Sequence, residues 1–367
     1  MTQRPLDIVI VGLSLSSSWG NGHATTYRAL IRGLQRLGHR VLFLERDVPW
    51  YAANRDLPDP DFCDLRLYAD LTELAERHRS AIADADAVIF GSYVPEGVAA
   101  LDIVLEAARG PVAFYDIDTP VTLAKLRRGD EEYLARRQIP AVDLYLSFTG
   151  GPLLQRLTED FGARRSMALY CAVDETRYRP TGDAPVWDLG YLGTYSDDRQ
   201  PTLERLLIEP ARRLPHRRFV VAGPQYPDSI AWPPNVERID HLPPSEHAAF
   251  YGRQRHTLNV TRADMIAAGW SPSVRLFEAA ACGTPIVSDV WEGLTDLLPE
   301  GEAIVLAREA ADVVAVLEAG DDGARRARAE RARAIVLGEH TGTARAAQLV
   351  EALSALRQAH SDLAKVG

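Results

Sequence analysis

Two doubly wound α/β domains, each a parallel sheet with helices on both faces, are what this chain predicts. Three observations carry that expectation. The 367 residues exceed one domain of roughly 100–200 residues and suit two. Short apolar runs without polar alternation, typical of parallel strands buried on both faces, alternate with stretches of helical period. The alternation then stops over a stretch rich in Asp, Arg, Pro and Gly, and restarts.

Taken in order, the first apolar run is Ile8 to Leu13. Tyr27, Leu30, Ile31, Leu34 and Leu37 follow at three- and four-residue spacing, one face of a helix. Gly38 closes that helix, and Val41 to Leu44 completes a β-α-β unit. Ala87–Phe90, Val112–Tyr115, Leu144–Phe148 and Met167–Tyr170 are the next strand candidates. Val173 to Trp187 reads as the interdomain linker. Beyond it come Leu189–Leu192, Phe219–Ala222, Leu258–Val260, Pro285–Ser288 and Ile304–Leu306, with an Ala/Arg/Leu-rich helical tail from about Ala324. The expected division is residues 1–180, residues 181–345, and a last helix, 346–367, placed to cross back to the first domain.

Composition narrows the partners. A formal net charge of −10 argues against nucleic acid, whose phosphates call for a basic surplus. The run Arg325 to Arg333 reads as a solvated helix face. Cys63, Cys171 and Cys282 are scattered and show no metal spacing, which suits reduced thiols and a cytoplasmic location. No apolar run approaches the roughly 18 residues of a membrane span, so no integral membrane segment is expected.

The most informative segment runs from Trp270 to Ser288. Ser271 reads as an N-cap with Pro272 at the first helical position. The amides of Ser273 and Val274 would then lie at the positive end of the helix dipole, a ready anion site. Glu278 lies seven residues after Ser271, back on nearly the same face. A nucleoside diphosphate needs that pairing, amides for phosphate and a carboxylate for the ribose hydroxyls. The same residues also describe a well-capped core helix with an incidental glutamate.

In the first half, Gly20-Asn21-Gly22-His23 lies between strand one and helix one. Its glycines permit close backbone approach to a ligand. The third glycine of the dinucleotide fingerprint is absent, which lowers a dehydrogenase reading. Asp116 and Asp118 end an apolar strand, and Asp118, further out and next to Thr119-Pro120, is the better placed to take a proton from an acceptor hydroxyl. An ordinary helix-capping role and an Asp-x-Asp metal site are the competing readings of that pair.

The wording Ser-Pro-Ser-Val-Arg-Leu-Phe-Glu-Ala at residues 271–279 resembles the donor-binding signature of GT-B glycosyltransferases, and the CgeB-like group in particular. Trp19-Gly-Asn-Gly-His23, Tyr115-Asp-Ile-Asp-Thr-Pro120, Thr149-Gly-Gly151, Leu192 to Arg199, Ala222 to Tyr226 and Leu258 to Arg262 look like further blocks of that group, so the similarity covers nearly the whole chain. The resemblance implies two facing Rossmann-like domains with the site in the cleft between them. It implies a nucleoside-diphosphate sugar as co-substrate, a small-molecule, glycan or protein acceptor, and neither a metal nor another cofactor. It places Ser271, Ser273 and Val274 at the diphosphate, Glu278 at the ribose, and Gly223, Gln225 and His241 around the nucleobase. Gly193, Thr194 and Tyr195 open a loop in which Arg199 stands where relatives carry a phosphate-facing Lys. Asn21 and Gly22 are counted with the donor-binding residues, His23 is either a helix-start residue or a group facing the diphosphate or acceptor, and Asp116, Asp118 and His23 are the catalytic candidates. One departure stands out: where many retaining members carry an acidic residue that touches the sugar, this chain has Trp270. An epimerase on the same fold, or a non-catalytic nucleotide-sugar binder, are the rival readings.

Overall fold

The computed structural model describes residues 4–19 and 22–366, with side chains up to residue 360. The chain divides into two compact units, Met1–Ala172 with Thr341–Gly367, and Val173–His340. The change-over falls at Ala172/Val173 rather than near residue 180. The segment after it belongs to the second unit because Val173 N donates to His340 O at 3.0 Å and Tyr178 is buried.

The first unit holds strands β1 (Asp7–Gly12), β2 (Arg40–Arg46), β3 (Asp64–Tyr68), β4 (Ala87–Gly91), β5 (Val112–Asp116), β6 (Leu144–Ser147) and β7 (Ser166–Ala168). All pair in parallel, in the order β3-β2-β1-β4-β5-β6-β7. The second holds β8 (Trp187–Leu192), β9 (Phe219–Ala222), β10 (Val236–Ile239), β11 (Gln254–Asn259), β12 (Ile286–Ser288) and β13 (Val305–Leu306). They too are parallel, in the order β10-β9-β8-β11-β12-β13. Strand order reverses between β1 and β4 in one sheet and between β8 and β11 in the other. Loops leaving the carboxyl ends of such neighbours diverge and open a crevice where ligands of doubly wound sheets bind.

The interior strands are the apolar runs expected, except β11, whose Gln254-Arg-His-Thr-Leu-Asn259 begins four residues before the expected Leu258–Val260 and opens on polar residues. β3 and β10 were not expected, because each lies at a sheet edge and is only partly covered. Asp64-Leu-Arg-Leu-Tyr68 and Val236-Glu-Arg-Ile239 interleave polar residues with apolar ones, so neither reads as an apolar run.

The core of the first unit includes Ile8, Ile10, Tyr27, Leu30, Phe43, Ile89 and Tyr115, together with Leu349, Leu353 and Leu356 of the last helix, Gly342–Val366. That helix crosses helix Gly22–Arg36 at two glycines: a Cβ on Gly33 would lie 2.2 Å from Gly342 O, and one on Gly342 would lie 2.0 Å from Ala29 O. Only glycine allows so close a crossing, which fixes the chain's return to its first unit. Among the described residues no helix is long and apolar enough to cross a membrane.

Candidate functional site

In the second unit the loops after β8, β9 and β11 and the start of helix Val274–Ala281 gather at the carboxyl edge of the sheet. The helix begins later than expected. Ser273 is the N-cap, with φ −76° and ψ 149°, and its hydroxyl donates to Asn259 Oδ1 at 2.8 Å. Ser271 is instead a buried residue whose hydroxyl reaches Met265 Sδ at 2.9 Å, and Pro272 precedes the helix. The helix is pulled onto β11 by Asn259, a tertiary partner that local capping rules cannot see. Glu278 therefore lies four residues after Val274 on the same face, one turn or about 6 Å into the helix.

The Glu278 carboxyl is buried. It accepts from the Tyr251 phenol at 3.1 Å, stands 4.0 Å from His247 Nδ1, and is also reached by Tyr178. Burial, together with the Glu278 charge, holds both phenols well above their ordinary pKa, so they remain donors. This arrangement departs from an incidental core glutamate, which would be costly to bury without such partners.

Arg275, unremarked in the sequence, ties the loops together. Its Nε donates to Leu192 O, its Nη1 to Asn259 Oδ1 at 3.1 Å and to Val260 O at 3.4 Å, and its guanidinium covers the Tyr191 ring at 4.9 Å. Arg238 does the same beside β9: it donates to Val221 O and to Gly223 O at 3.0 Å, and lies 4.2 Å over the Tyr226 ring. Gly223 is required here, since with φ +138° a Cβ on it would stand 2.1 Å from Gly193 O. Gly193 N in turn donates to Ala222 O at 2.8 Å. Gly193 and Gly223 thus lock the β8 and β9 exits together, and Tyr195 joins them through its amide to Pro224 O at 3.0 Å.

Arg199 pairs with neither Asp197 nor Asp198. Its Nη2 donates to Thr194 O at 2.7 Å, across its own loop, and its Nε is buried with no hydrogen-bond partner. Asp198 is held by Ser196 Oγ and Ala263 N. An open hollow of about 530 Å³ beside this loop is lined by Tyr195, Asp197, Asp198 and Arg262, among others. Gln225 (φ 70°) and His241 are exposed on the loops after β9 and β10. Trp270 has φ 40°, an uncommon conformation for a bulky residue. Its amide donates to Glu292 O at 2.6 Å and its indole N–H to Asp296 Oδ2 at 2.9 Å.

In the first unit the β4 and β5 exits and the start of helix Gly22–Arg36 bring together His23, Tyr93 and Asp118. The Asp116 carboxyl is wholly buried. It accepts from Tyr145 Oη at 2.5 Å and Thr122 Oγ1 at 2.8 Å, and burial raises its pKa to about 6. A group so enclosed cannot reach an acceptor, which corrects its place among the catalytic candidates. Asp118, half-buried, accepts from Tyr93 Oη at 3.2 Å. The His23 ring lies 5.3 Å from that of Tyr93, and burial lowers its pKa to about 4, leaving it neutral near pH 7. Gly22 is exposed, and a Cβ there would meet nothing within 4 Å. Asn21 lies outside the described residues. Tyr93, Tyr133 and Tyr145 escaped the sequence reading because their partners are far along the chain.

Two parallel, switch-point sheets with these loops define the GT-B fold, and the structural comparisons agree. Similar structures include HepE of Anabaena in complex with UDP and glucose (15% identity, 96% of this chain and 100% of that chain, TM-score 0.67). The sucrose-phosphate synthase of Thermosynechococcus elongatus is 13% identical over 97% of this chain and 100% of its own, with a TM-score of 0.68. An alpha-glucosyltransferase in complex with UDP-glucose and DNA containing an abasic site is 13% identical over 96% of this chain and 100% of its own, with a TM-score of 0.69. Residues 199–351 match the family model described as "Glycosyl transferase-like". No curated protein matches the chain by sequence.

Proposed function

We propose that the protein is a glycosyltransferase that takes a nucleoside-diphosphate sugar and transfers the sugar to an acceptor hydroxyl, and that it belongs with the CgeB-like group its motifs resemble. The observation that carries this is the buried Glu278 carboxylate, one turn into a helix whose start lies at the carboxyl edge of the second sheet. Glu278 accepts from the ribose hydroxyls. The helix start at Ser273 and Val274, with Ser271 packed beneath, and Arg199 receive the diphosphate. Gly193, Thr194 and Tyr195 shape the phosphate loop, and Gly223, Gln225 and His241 border the base. Glucosyl donors enter the proposal because structural neighbours were captured with UDP-glucose.

In the reaction the acceptor oxygen attacks the anomeric carbon and the bond from that carbon to the diphosphate oxygen breaks. The electron pair leaves with the nucleoside diphosphate, whose growing charge the helix start and Arg199 stabilise. The acceptor proton passes to the Asp118 carboxylate, with neutral His23 beside it as a hydrogen-bonding group. The residues supply this chemistry without a metal or another cofactor. Trp270 replaces the acidic sugar contact of many retaining members, so sugar recognition rests on other groups.

Incubation with nucleoside-diphosphate sugars and a panel of hydroxyl acceptors tests the proposal, reading both nucleoside diphosphate released and sugar attached. Sugar attached in step with nucleotide release supports transfer. Donor altered at a sugar carbon with no acceptor present would contradict it.

A further inference from the structure

Tyr93 is one of the few described non-glycine residues with a positive φ. Its φ of 64° is left-handed, a conformation a bulky side chain keeps only where its surroundings over-determine it. The surroundings do so. Its ring lies 4.5 Å from that of Tyr133, whose hydroxyl shares a 2.7 Å hydrogen bond with Thr122 Oγ1. Thr122 donates in turn to the buried Asp116. The preceding residue ties the two strand exits together: Ser92 N donates to Tyr115 O at 2.9 Å, and Ser92 Oγ accepts from Ile117 N at 3.1 Å. Thus aimed, the phenol donates to Asp118 Oδ2 at 3.2 Å, while its ring is set against His23.

We propose that Tyr93 is a positioning residue for Asp118. Its phenol fixes the rotation of that carboxylate and stabilises its charged form, and the network through Tyr133, Thr122 and Asp116 holds the phenol in place. Burial and the charge of Asp118 keep the phenol well above its ordinary pKa, so it acts as a donor and not as a base. The inference rests on the reading of Asp118 as the proton acceptor.

Tyr93→Phe removes the hydroxyl and keeps the ring against His23 and Tyr133. The decisive readout needs no substrate: the Asp118 carboxyl is followed by carbon-13 NMR titration and assigned by its disappearance in Asp118→Asn. Loss of a hydrogen bond donated to the charged form raises a carboxyl pKa, so Asp118 should titrate about half a unit to one unit higher in Tyr93→Phe. Replacement of Tyr93 by 3-fluorotyrosine, isosteric and a stronger donor, should move it the other way and covers the case in which Tyr93→Phe does not fold. With UDP-glucose as probe donor, kcat should fall about 10- to 100-fold, the cost of a misplaced catalytic group, at unchanged donor KM. An Asp118 titration unmoved in both variants would overturn the inference. Full turnover by Asp118→Asn would instead overturn the reading on which it rests.

Discussion

The phenol of Tyr251 donates to the buried carboxylate of Glu278 at 3.1 Å. Two residues from different elements, 27 positions apart, thereby hold a charge where burial alone would expel it. Tyr251→Phe leaves that carboxylate short of a partner. The expected loss is roughly 1–3 kcal/mol of stability, the cost of an unsatisfied buried group, read as a lower midpoint in urea unfolding.

Arg199 folds across its loop onto Thr194 O, within the loop proposed to hold the diphosphate. Arg199→Ala should weaken a nucleoside diphosphate by about 1.5–3 kcal/mol, the range for a charged hydrogen bond, and the monophosphate much less. Arg199→Lys should recover part of the loss, since charge survives and the fork does not. Calorimetric titration with both nucleotides checks this. An equal loss for the two would place Arg199 outside the distal phosphate site.

Asp116 gives the fold a pH dependence of known sign. Its folded pKa of about 6 stands above the ordinary 3.8, so between these values the folded state holds more protons than the unfolded one. Its contribution to stability therefore falls as pH rises from about 4 to 6, by roughly 3 kcal/mol in all. Relative to Asp116→Asn, the wild type should gain stability as pH is lowered from 7 to 4. Thermal melts of both across that range read the difference, and a constant difference would contradict it.

Metal independence is tested directly. Turnover should persist in excess EDTA and show no gain from added Mg²⁺ or Mn²⁺. Loss in EDTA with recovery on adding either ion would return the Asp116/Asp118 pair to consideration as a metal site.

Much of the fold was legible because most interior parallel strands are continuous apolar runs: Phe219–Ala222 was read to the residue, whereas Gln254–Asn259, polar in its first half, was read only from Leu258. Edge strands β3 and β10 were not, since half-covered strands interleave charges with apolar side chains. Glu278 was legible from its wording, but the start of its helix was not. Ser271 and Pro272 satisfy local capping rules, and only Asn259, brought in by the sheet, moves the cap to Ser273. Arg275, Arg238, Tyr251 and Tyr93 carry no local signal, because each acts through backbone or side-chain groups contributed by other elements of the chain. Asp116 and Asp118 differ by burial, which strand alternation would not give, since residues two apart share a face; the strand ends at Asp116 and Asp118 already stands at the N-cap of the next helix.

The most direct test is an isothermal titration of the wild type and of Glu278→Gln with UDP-glucose, UDP and the other nucleoside diphosphates. The account predicts saturable one-to-one binding of at least one nucleoside diphosphate and of its sugar, weakened by about 1.5–3 kcal/mol in Glu278→Gln through the loss of a charge-assisted hydrogen bond to the ribose. Absence of binding by every nucleoside diphosphate, or equal affinity in the two proteins, would contradict it.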